Sequence, residues 1–378
     1  MHNRVIIILP SPISKAETFI KALTQNLIKT QDITYDFVYP SYKLNLNKIF
    51  SILKSPFYLV NILRYIDSSR ERIILKKLFR AYINLGVLTS SHVKVVHYLF
   101  ANLAVGRENL AKSIGAKTSI GLRGYDITFY ALNHPNAYGK DYWANVNFIQ
   151  TNSQDLYNWA LHWGAIASIP VKTINAAVND AFIRNTEDIV VKEKLKHVNF
   201  VFVGRLHWKK GLDILFRIFN EFQKSNSAYL TVIGDGPELE KLKFLIEKYQ
   251  LKNSVRLLGR LNQIDILKIF DESDILLAPS IQEGCSNVVL EAQARGLYCI
   301  VSDAEGMNEV VENNLTGKIC DTWNENEWLS GIEEYCDLEY ESRKKKAIYG
   351  INRIAHKFSR SKQINEWNEY FQVICSNS

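Results

Sequence analysis

Two glutamates, Glu283 and Glu291, lie where the sequence predicts a buried strand, a tight loop and the start of a helix. The apolar run at 275–278 ends at Pro279, as expected for a strand that stops there. Good helix formers follow and end at Gly296, a residue suited to the left-handed position after a helix. Because a helix start carries free N–H groups and a positive dipole end, this stretch predicts an anion-binding loop beside two carboxylates.

The spacing of these glutamates means little by itself. The chain contains 23 glutamates, and the same separation recurs between Glu325 and Glu333, in a charged stretch that is typical of a solvated surface. What distinguishes Glu283 and Glu291 is their position, since open α/β sheets bind ligands at the carboxyl ends of their strands.

A second loop carries basic side chains between a predicted strand and a predicted helix. It runs from Gly204 to Gly211 and contains Arg205 and Lys210. Arginine offers a fork of hydrogen-bond donors, and lysine places a point charge near the helix start. A diphosphate is the natural ligand for such a loop; the alternative is a charged surface turn.

A third loop, from Gly234 to Glu238, is a glycine turn after another predicted strand. It contains Gly236 as well, but it lacks the G-x-G-x-x-G spacing, and the chain has no P-loop sequence. Dinucleotide binding and P-loop nucleotide hydrolysis are therefore disfavoured. On its own this turn is equally compatible with a simple connection between a strand and a helix.

Strands and helices alternate through both halves of the chain, which predicts two parallel, doubly wound α/β sheets that face a cleft. The charged stretch 184–196 is interpreted as their connection. Helices are favoured at 14–29, 102–114 and 153–163, and a core-facing helix contains Leu212, Leu215, Phe216, Phe219 and Phe222. The predicted strands are 4–9, 33–38, 93–99, 118–122, 146–151, 199–203, 229–233, 255–258, 275–278 and 298–302.

Composition limits the class of protein. A chain of 378 residues with 47% hydrophobic content can bury a large core and form two domains. Its longest apolar runs fall far short of the roughly 18–20 residues that span a bilayer. The first of them is interpreted as a strand and not as a signal peptide. Five cysteines without Cys-x-x-Cys spacing argue against a disulfide framework or a structural zinc, so we expect a reducing, cytoplasmic compartment.

Positive charge is concentrated in the segment 41–80. The segment holds nine basic and two acidic side chains, so its own net charge of +7 equals the net charge of the whole chain. Large apolar residues are interleaved with these charged ones. Basic amphipathic segments of this kind can lie on an anionic membrane face. The alternative is a pair of ordinary surface helices. Nucleic-acid binding is disfavoured because no RNA- or DNA-binding module accompanies the charge.

An ordered series of motifs runs through about residues 199–320. They are Val203-Gly-Arg-Leu with Lys210-Gly211, Val232-Ile-Gly-Asp-Gly-Pro-Glu238, Leu258-Gly259, Ala278-Pro-Ser280, Glu283-Gly to Val288-Val-Leu-Glu-Ala292, Ser302-Asp303 through Gly306, and Glu309-Val-Val311 with Thr316-Gly317. Together they resemble the nucleotide-sugar domain of retaining GT-B glycosyltransferases of family 4, the group 1 family. The resemblance implies an acceptor-binding domain at 1–190, a nucleotide-sugar-binding domain at 191–355 and a C-terminal helix at 356–378 that packs back on the first domain.

Carried over to this chain, the resemblance implies that Arg205, Lys210 and Glu283 are catalytic. Arg205 and Lys210 would stabilise the departing nucleoside diphosphate, while Glu283 would face the donor sugar and Glu291 would bind the ribose hydroxyls. The implied donor-binding residues are Gly204, Arg205, Lys210, Gly234, Gly236, Leu261, Glu283, Gly284, Cys285, Ser286, Asn287, Val288 and Glu291. Because no Asp-x-Asp motif is present, we expect no metal, and no cofactor besides a UDP- or GDP-sugar as co-substrate.

The N-terminal half is similar to members that build bacterial surface polysaccharides, at Glu17-Thr-Phe-Ile20, His97 to Ala101 and Gly124-Tyr-Asp126. This chain departs from them in two places. Arg123 stands where the family often has a histidine that contacts the donor sugar, and Ala177-Val178-Asn179 replaces a glycine-valine-aspartate hinge. Arg123 and Asp126 are assigned to the acceptor and sugar side; Arg123 either contacts a donor phosphate or an acidic acceptor, or it is structural.

The resemblance predicts an enzyme, a retaining, metal-independent hexosyltransferase that moves a sugar from a nucleotide sugar to a saccharide acceptor, expected to be lipid-linked. The pathway implied is capsule, exopolysaccharide or lipopolysaccharide biosynthesis. An anionic membrane surface is a further expected partner, through residues 41–80, on the inner face of the cytoplasmic membrane. Two alternatives stay open: a nucleotide-sugar epimerase of GT-B-like fold, and a non-catalytic saccharide- or membrane-binding protein.

Overall fold

The computed structural model describes residues 3–10, 20, 23–24, 27, 33–38, 92–193 and 195–376. The basic segment 41–80 and most of the predicted helix 14–29 lie outside these residues. Within that helix, Ile20, Leu23, Thr24 and Leu27 are helical and buried, and their spacing is that of one helix face.

The chain forms two units, each built on a six-stranded sheet. Unit 1 takes the described residues up to Gln150, the segment Trp159–Lys172 and the described residues from Glu366 on. Unit 2 takes Thr151–Asn158 and Thr173–Asn365.

Residues 173–190 belong to unit 2, where the backbone around Val178 pairs with the segment around Ser359. Val178 forms a bridge with Ser359, and the Val178 N–H donates to the Phe358 carbonyl at 2.9 Å. The predicted boundary at residue 190 therefore lies further along the chain than the division that the structure shows, which follows Lys172.

The sheet of unit 1 has the strand order β2-β1-β3-β4-β5-β6, and β1 to β4 pair in parallel. Its strands are β1 (Asn3–Ile8), β2 (Ile33–Val38), β3 (Val93–Tyr98), β4 (Lys117–Leu122), β5 (Phe148–Thr151) and β6 (Val171–Thr173). Its helices are α1 (Leu110–Ser113), α2 (Phe129–Asn133), α3 (Lys140–Ala144) and α4 (Gln154–His162), the last of which begins in unit 2. Central strands β1 and β3 are largely buried, as parallel strands are, which accounts for their apolar sequences.

The helix predicted at 102–114 is wrong in length. The structure has a short 3-10 turn at Ala101–Leu103 and then α1, and the chain between them turns at Gly106, whose φ is 73°. A residue in that conformation cannot continue a right-handed helix.

The sheet of unit 2 is parallel throughout, with the strand order β12-β11-β10-β7-β8-β9. Its strands are β7 (Val198–Val203), β8 (Ala228–Ile233), β9 (Val255–Leu257), β10 (Ile275–Ala278), β11 (Tyr298–Ser302) and β12 (Gly317–Cys320). Its helices are α5 (Leu212–Gln223), α6 (Leu239–Lys248), α7 (Gln263–Glu272), α8 (Asn287–Ala294), α9 (Met307–Val310), α10 (Glu325–Cys336) and α11 (Tyr340–Lys357). All five predicted core residues of α5 are buried, which confirms that helix and its orientation.

The last helix, α12 (Arg360–Ser376), carries the chain into unit 1 from Glu366 on. The Tyr370 hydroxyl lies 2.7 Å from Ser119 Oγ, and Trp367 packs against the buried ring of His97. Of the C-terminal segment predicted at 356–378, the part from Glu366 thus contributes to the core of unit 1. Among the described residues, none of the helices has the length and apolar character needed to cross a bilayer.

Candidate active site

The strand order of unit 2 brings three predicted loops to one edge of its sheet. Strand β7 lies between β10 and β8, and all three run in the same direction. The loops that follow them, 204–211, 234–238 and 279–286, therefore leave the sheet on the same side, at the carboxyl ends where open α/β sheets bind ligands.

The loop after β7 packs directly on the loop after β10. Gly211 has a φ of 61°, and a Cβ placed there would lie 1.8 Å from the Pro279 carbonyl oxygen. Glycine is required at this position both for the left-handed backbone and for the close approach. The Ile281 N–H then donates to the Lys209 carbonyl at 2.7 Å. These contacts hold the basic loop and the loop that leads to Glu283 in a fixed relation.

The two predicted catalytic groups of opposite charge meet across these loops. The Lys210 ammonium donates to the Glu283 carboxylate and forms an ion pair with it. The side chains are 26% and 16% exposed, so the pair is shielded but still reachable from solvent. A cation and a carboxylate have thus been brought side by side from sequence positions far apart.

The loop after β8 is hydrogen-bonded to the same basic loop. The Leu206 N–H donates to the Asp235 carbonyl at 3.0 Å, and the Glu238 N–H donates to the Leu206 carbonyl at 3.1 Å. Arg205 stands in the chain between the end of β7 and Leu206, and its side chain is exposed. Gly204, Gly234 and Gly236 lie in these two loops and are half-buried. The structure therefore groups the predicted diphosphate residues around the ends of β7 and β8.

Charge in the basic loop is crowded. Burial lowers the pKa of Lys209, and the neighbouring charges of Lys210 and Arg205 lower it further, while Glu283 acts in the opposite direction. The pKa of His207 is also lowered, by burial first and then by Arg205 and Lys209. The lowered pKa values show that these positive charges repel one another, and a bound anion would reduce this repulsion.

The loop after β10 leads into α8. Gly284 and Ser286 are buried, Cys285 and Val288 are half-buried, and Asn287 is exposed. Ser286 is the N-cap residue of α8, although its side chain makes no capping hydrogen bond. Leu261, predicted as a donor contact, lies in the loop after β9 and packs against the core beneath α7 and α8.

Glu291 lies on α8, at the start of its second turn. Burial raises the pKa of its carboxyl group to about 7. A half-buried carboxylate of this kind gains from hydroxyl donors, which would replace the water that it has lost. Its position and its pKa therefore suit a hydroxyl-rich ligand.

Comparison with known proteins bears on the same part of the chain. Residues 184–353 match the model of the family described as glycosyl transferases group 1. This part of the chain, which includes most of the loops described above, is thus similar to that family.

Two curated relatives align with parts of the chain. An uncharacterized glycosyltransferase from Haemophilus influenzae is 31% identical over 170 residues, which is 43% of this chain and 48% of that protein. The UDP-Gal:alpha-D-GlcNAc-diphosphoundecaprenol alpha-1,3-galactosyltransferase of Escherichia coli is 36% identical over 137 residues, 34% of this chain and 35% of that protein. The chain thus spans less than half the length of these relatives.

A solved structure resembles the whole chain. Anabaena Alr3699/HepE in complex with UDP is 16% identical, covers 98% of this chain and 100% of its own, and has a TM-score of 0.72. With the two parallel-stranded units, this likeness confirms the predicted GT-B fold.

Unit 2 holds most of the predicted site, but two predicted residues lie in unit 1. Asp126 is fully buried, and its two carboxylate oxygens accept the N–H groups of Ala101 at 2.9 Å and Arg123 at 3.0 Å. Burial raises its pKa, and these hydrogen bonds act against the rise. The Arg123 Nε donates to the Leu99 carbonyl at 3.3 Å, and its guanidinium lies 5.5 Å from the Trp367 ring centre. Asp126 thus links its own loop after β4 to the segment after β3. A substrate contact by either residue stays a prediction.

Lys209 was not singled out from the sequence, although this residue links two loops of unit 2. Its carbonyl, and not its ammonium, accepts the hydrogen bond that joins the loops 204–211 and 279–286, and the sequence carries no signal for such a backbone contact. In the part of the chain that the structure describes, no cluster of three histidine, cysteine, aspartate or glutamate side chains could hold a metal ion. Metal independence stays a prediction.

Proposed function

We propose that this protein is a retaining glycosyltransferase that uses a UDP- or GDP-sugar and a saccharide acceptor, expected to be lipid-linked, in bacterial surface-polysaccharide or lipopolysaccharide biosynthesis. The observation that carries the proposal is the meeting of Lys210 with Glu283 at the sheet edge where Arg205 also lies. One donor molecule needs both kinds of group, cations for its diphosphate and a carboxylate for its sugar. The E. coli relative, by its name, uses UDP-Gal and a diphosphoundecaprenol acceptor, which supports this choice of substrates.

The proposed reaction breaks the bond between the anomeric carbon and the diphosphate oxygen. The acceptor hydroxyl attacks from the same face, its oxygen bonds to the anomeric carbon, and its proton passes to a phosphate oxygen of the leaving diphosphate. Arg205 and Lys210 stabilise the negative charge that develops on this diphosphate, which is the largest catalytic contribution of the protein. Glu283 holds the sugar hydroxyls and stabilises positive charge on the sugar ring, and Glu291 accepts hydrogen bonds from the ribose.

Diphosphate binding would have to reorganise the ion pair. Lys210 has one ammonium group to share between Glu283 and the incoming phosphate, and phosphate oxygens are strong acceptors of charge-assisted hydrogen bonds. The carboxylate of Glu283 would then turn to the hydroxyls of the sugar.

Ligand binding and product analysis together test the proposal. In a thermal-shift screen, a nucleoside diphosphate at 100 times its Kd should stabilise the protein by about 2.7 kcal/mol. Lys210→Ala should lose this shift, whereas Lys243→Ala, a change at an exposed lysine of α6, should keep it. Failure of UDP, GDP and their sugars to shift the wild-type protein would contradict the proposal. Turnover of the donor to an isomeric nucleotide sugar without acceptor would favour the epimerase instead.

The membrane contact is a separate part of the proposal and is supported by the charge of residues 41–80 alone. We expect vesicles that contain anionic lipid to retain the protein at low salt and to release it as salt is raised, since screening weakens such binding. Equal recovery with neutral vesicles would contradict it.

A further inference from the structure

The start of α4, which lies in unit 2, and the short helix α9 of unit 2 cap each other. Helix α4 begins at Gln154, and the second residue of that helix, Asp155, accepts the N–H of Gly306 at 2.9 Å. Gly306 is the N-cap residue of α9. In return, Glu309 of α9 accepts the N–H of Gln154 at 2.5 Å. Each carboxylate thus lies at the positive end of the other helix, where a negative charge is stabilised. We call this pair of contacts the reciprocal cap.

The reciprocal cap reaches the candidate site through Gly306. This residue has a φ of 77°, and a Cβ placed on it would lie 2.1 Å from the carbonyl oxygen of Gly284. The backbone of Gly306 therefore packs directly on the peptide between Gly284 and Cys285, one residue beyond Glu283. A shift of Gly306 away from Asp155 would remove the support of that peptide.

The other side of α9 is also fixed. The second oxygen of Glu309 accepts from the Asn175 side chain at 3.0 Å. The Arg353 guanidinium donates to the carbonyls of Glu309 and Val310, both at 2.9 Å. Helix α9 is too short to hold its place by its own hydrogen bonds, so these external contacts set its position.

We propose that Asp155 and Glu309 are positioning residues for the donor sugar: through Gly306 they hold the Gly284 peptide, and with it the carboxylate of Glu283, at the distance that the sugar requires. This inference rests on the proposed function of Glu283. The diphosphate residues have supports of their own, the Gly211–Pro279 approach and the hydrogen bond from Ile281 to Lys209. The reciprocal cap should therefore govern how the sugar is held and not how the diphosphate is held.

Hydrogen exchange tests the structural step without any substrate. In Asp155→Ala, amides of residues 283–288 should exchange at least about tenfold faster than in the wild type, because the supporting contact opens locally. Asp155→Asn keeps a side-chain oxygen that can accept the Gly306 N–H and should restore most of the protection. Asp141→Ala, at an exposed carboxylate in the first turn of α3, should leave 283–288 unchanged. Faster exchange confined to 303–310 would overturn the proposal.

Kinetics tests the functional step. Asp155→Ala should bind UDP or GDP within about twofold of the wild type, while its kcat with the sugar donor falls at least about tenfold, since small misplacements of catalytic groups are costly. Asp155→Asn should recover most of that loss. An equal loss of nucleoside-diphosphate affinity in Asp155→Ala would overturn the proposal. A wild-type protein that binds no nucleoside diphosphate would contradict the proposed function instead, and the exchange experiment would still decide whether the reciprocal cap supports residues 283–288.

Discussion

The carboxylates of Glu283 and Asp126 both follow a strand of a parallel sheet, yet their surroundings differ. Glu283 in unit 2 is half-buried and pairs with the ammonium group of a lysine side chain. Asp126 in unit 1 is fully buried, and its two oxygens accept backbone N–H groups, one from its own loop and one from Ala101 after β3. A ligand could replace Lys210 at Glu283 with little rearrangement, whereas at Asp126 it would have to break the loop. Burial and the kind of partner thus distinguish the two carboxylates: the partner of Glu283 is a single side chain, and the partners of Asp126 are backbone groups.

The largest expected effect is at the cations beside Glu283. Arg205→Ala or Lys210→Ala should lower kcat/KM for transfer by at least about 100-fold, because each removes positive charge that acts on the leaving diphosphate. Lys243→Ala provides the control for loss of a surface lysine. Transfer at the wild-type rate in both variants would contradict the proposed role of Arg205 and Lys210 at the leaving diphosphate.

Asp126→Ala should act on stability. It leaves the N–H groups of Ala101 and Arg123 buried without their carboxylate, at a cost of about 1–3 kcal/mol for each unsatisfied group. Chemical denaturation should show this loss in the free energy of unfolding, while UDP or GDP affinity stays close to the wild-type value. Unchanged stability together with lost transfer would instead make Asp126 a substrate contact.

Glu283→Gln should separate binding of the diphosphate from binding of the sugar. Without the ion pair, Lys210 is available to phosphate, and affinity for a nucleoside diphosphate without sugar should rise roughly two- to fivefold, since a partly exposed pair is worth about 1 kcal/mol or less. Turnover of the sugar donor should fall. Calorimetric titration gives the first quantity, and a weaker affinity would mean that Glu283 organises Lys210 and does not compete for it.

The smallest effect concerns Glu291, whose carboxyl pKa is raised by burial to about 7 from an ordinary value of 4.5. The folded protein then holds a proton that the unfolded chain has lost, so this group makes stability fall as pH rises between these two values. Hydroxyl donors favour the ionised form, so nucleoside-diphosphate affinity should rise as pH goes from 6 to 8. Glu291→Gln should flatten both profiles, measured by calorimetry and thermal denaturation. A pH-dependent affinity that persists in Glu291→Gln would assign it to another group.

Much of the fold was predictable because the buried strands of parallel sheets are continuous apolar runs, and turn residues such as glycine and proline mark their ends. The prediction at 275–278 matches β10, and that at 298–302 matches β11. Strands β6 and β12 were missed because they have three and four residues and are only partly buried, which leaves no apolar run. The helix at 102–114 failed because periodicity does not reveal the backbone turn at Gly106.

The candidate site was predictable in its members but not in its connections. The order of the motifs predicted Lys210 and Glu283 as site residues, but it could not show that these two side chains form an ion pair with each other. Asp155 and Glu309 had no local signal as a pair, because two helix ends meet only once the chain has folded. Sequence patterns report what each element buries; contacts between loops of different strands are a property of the assembled sheet.

The ion pair between Lys210 and Glu283 also bears on how fast a donor is captured. Opposite charges in contact produce almost no field beyond the Debye length of about 8 Å at physiological salt. If the proposed function is correct, a nucleotide sugar approaching from solution would be attracted chiefly by exposed Arg205, and Lys210 would add its charge only after contact. The rate of association and the lifetime of the complex would then depend on different side chains, and salt would slow the first far more than it shortens the second.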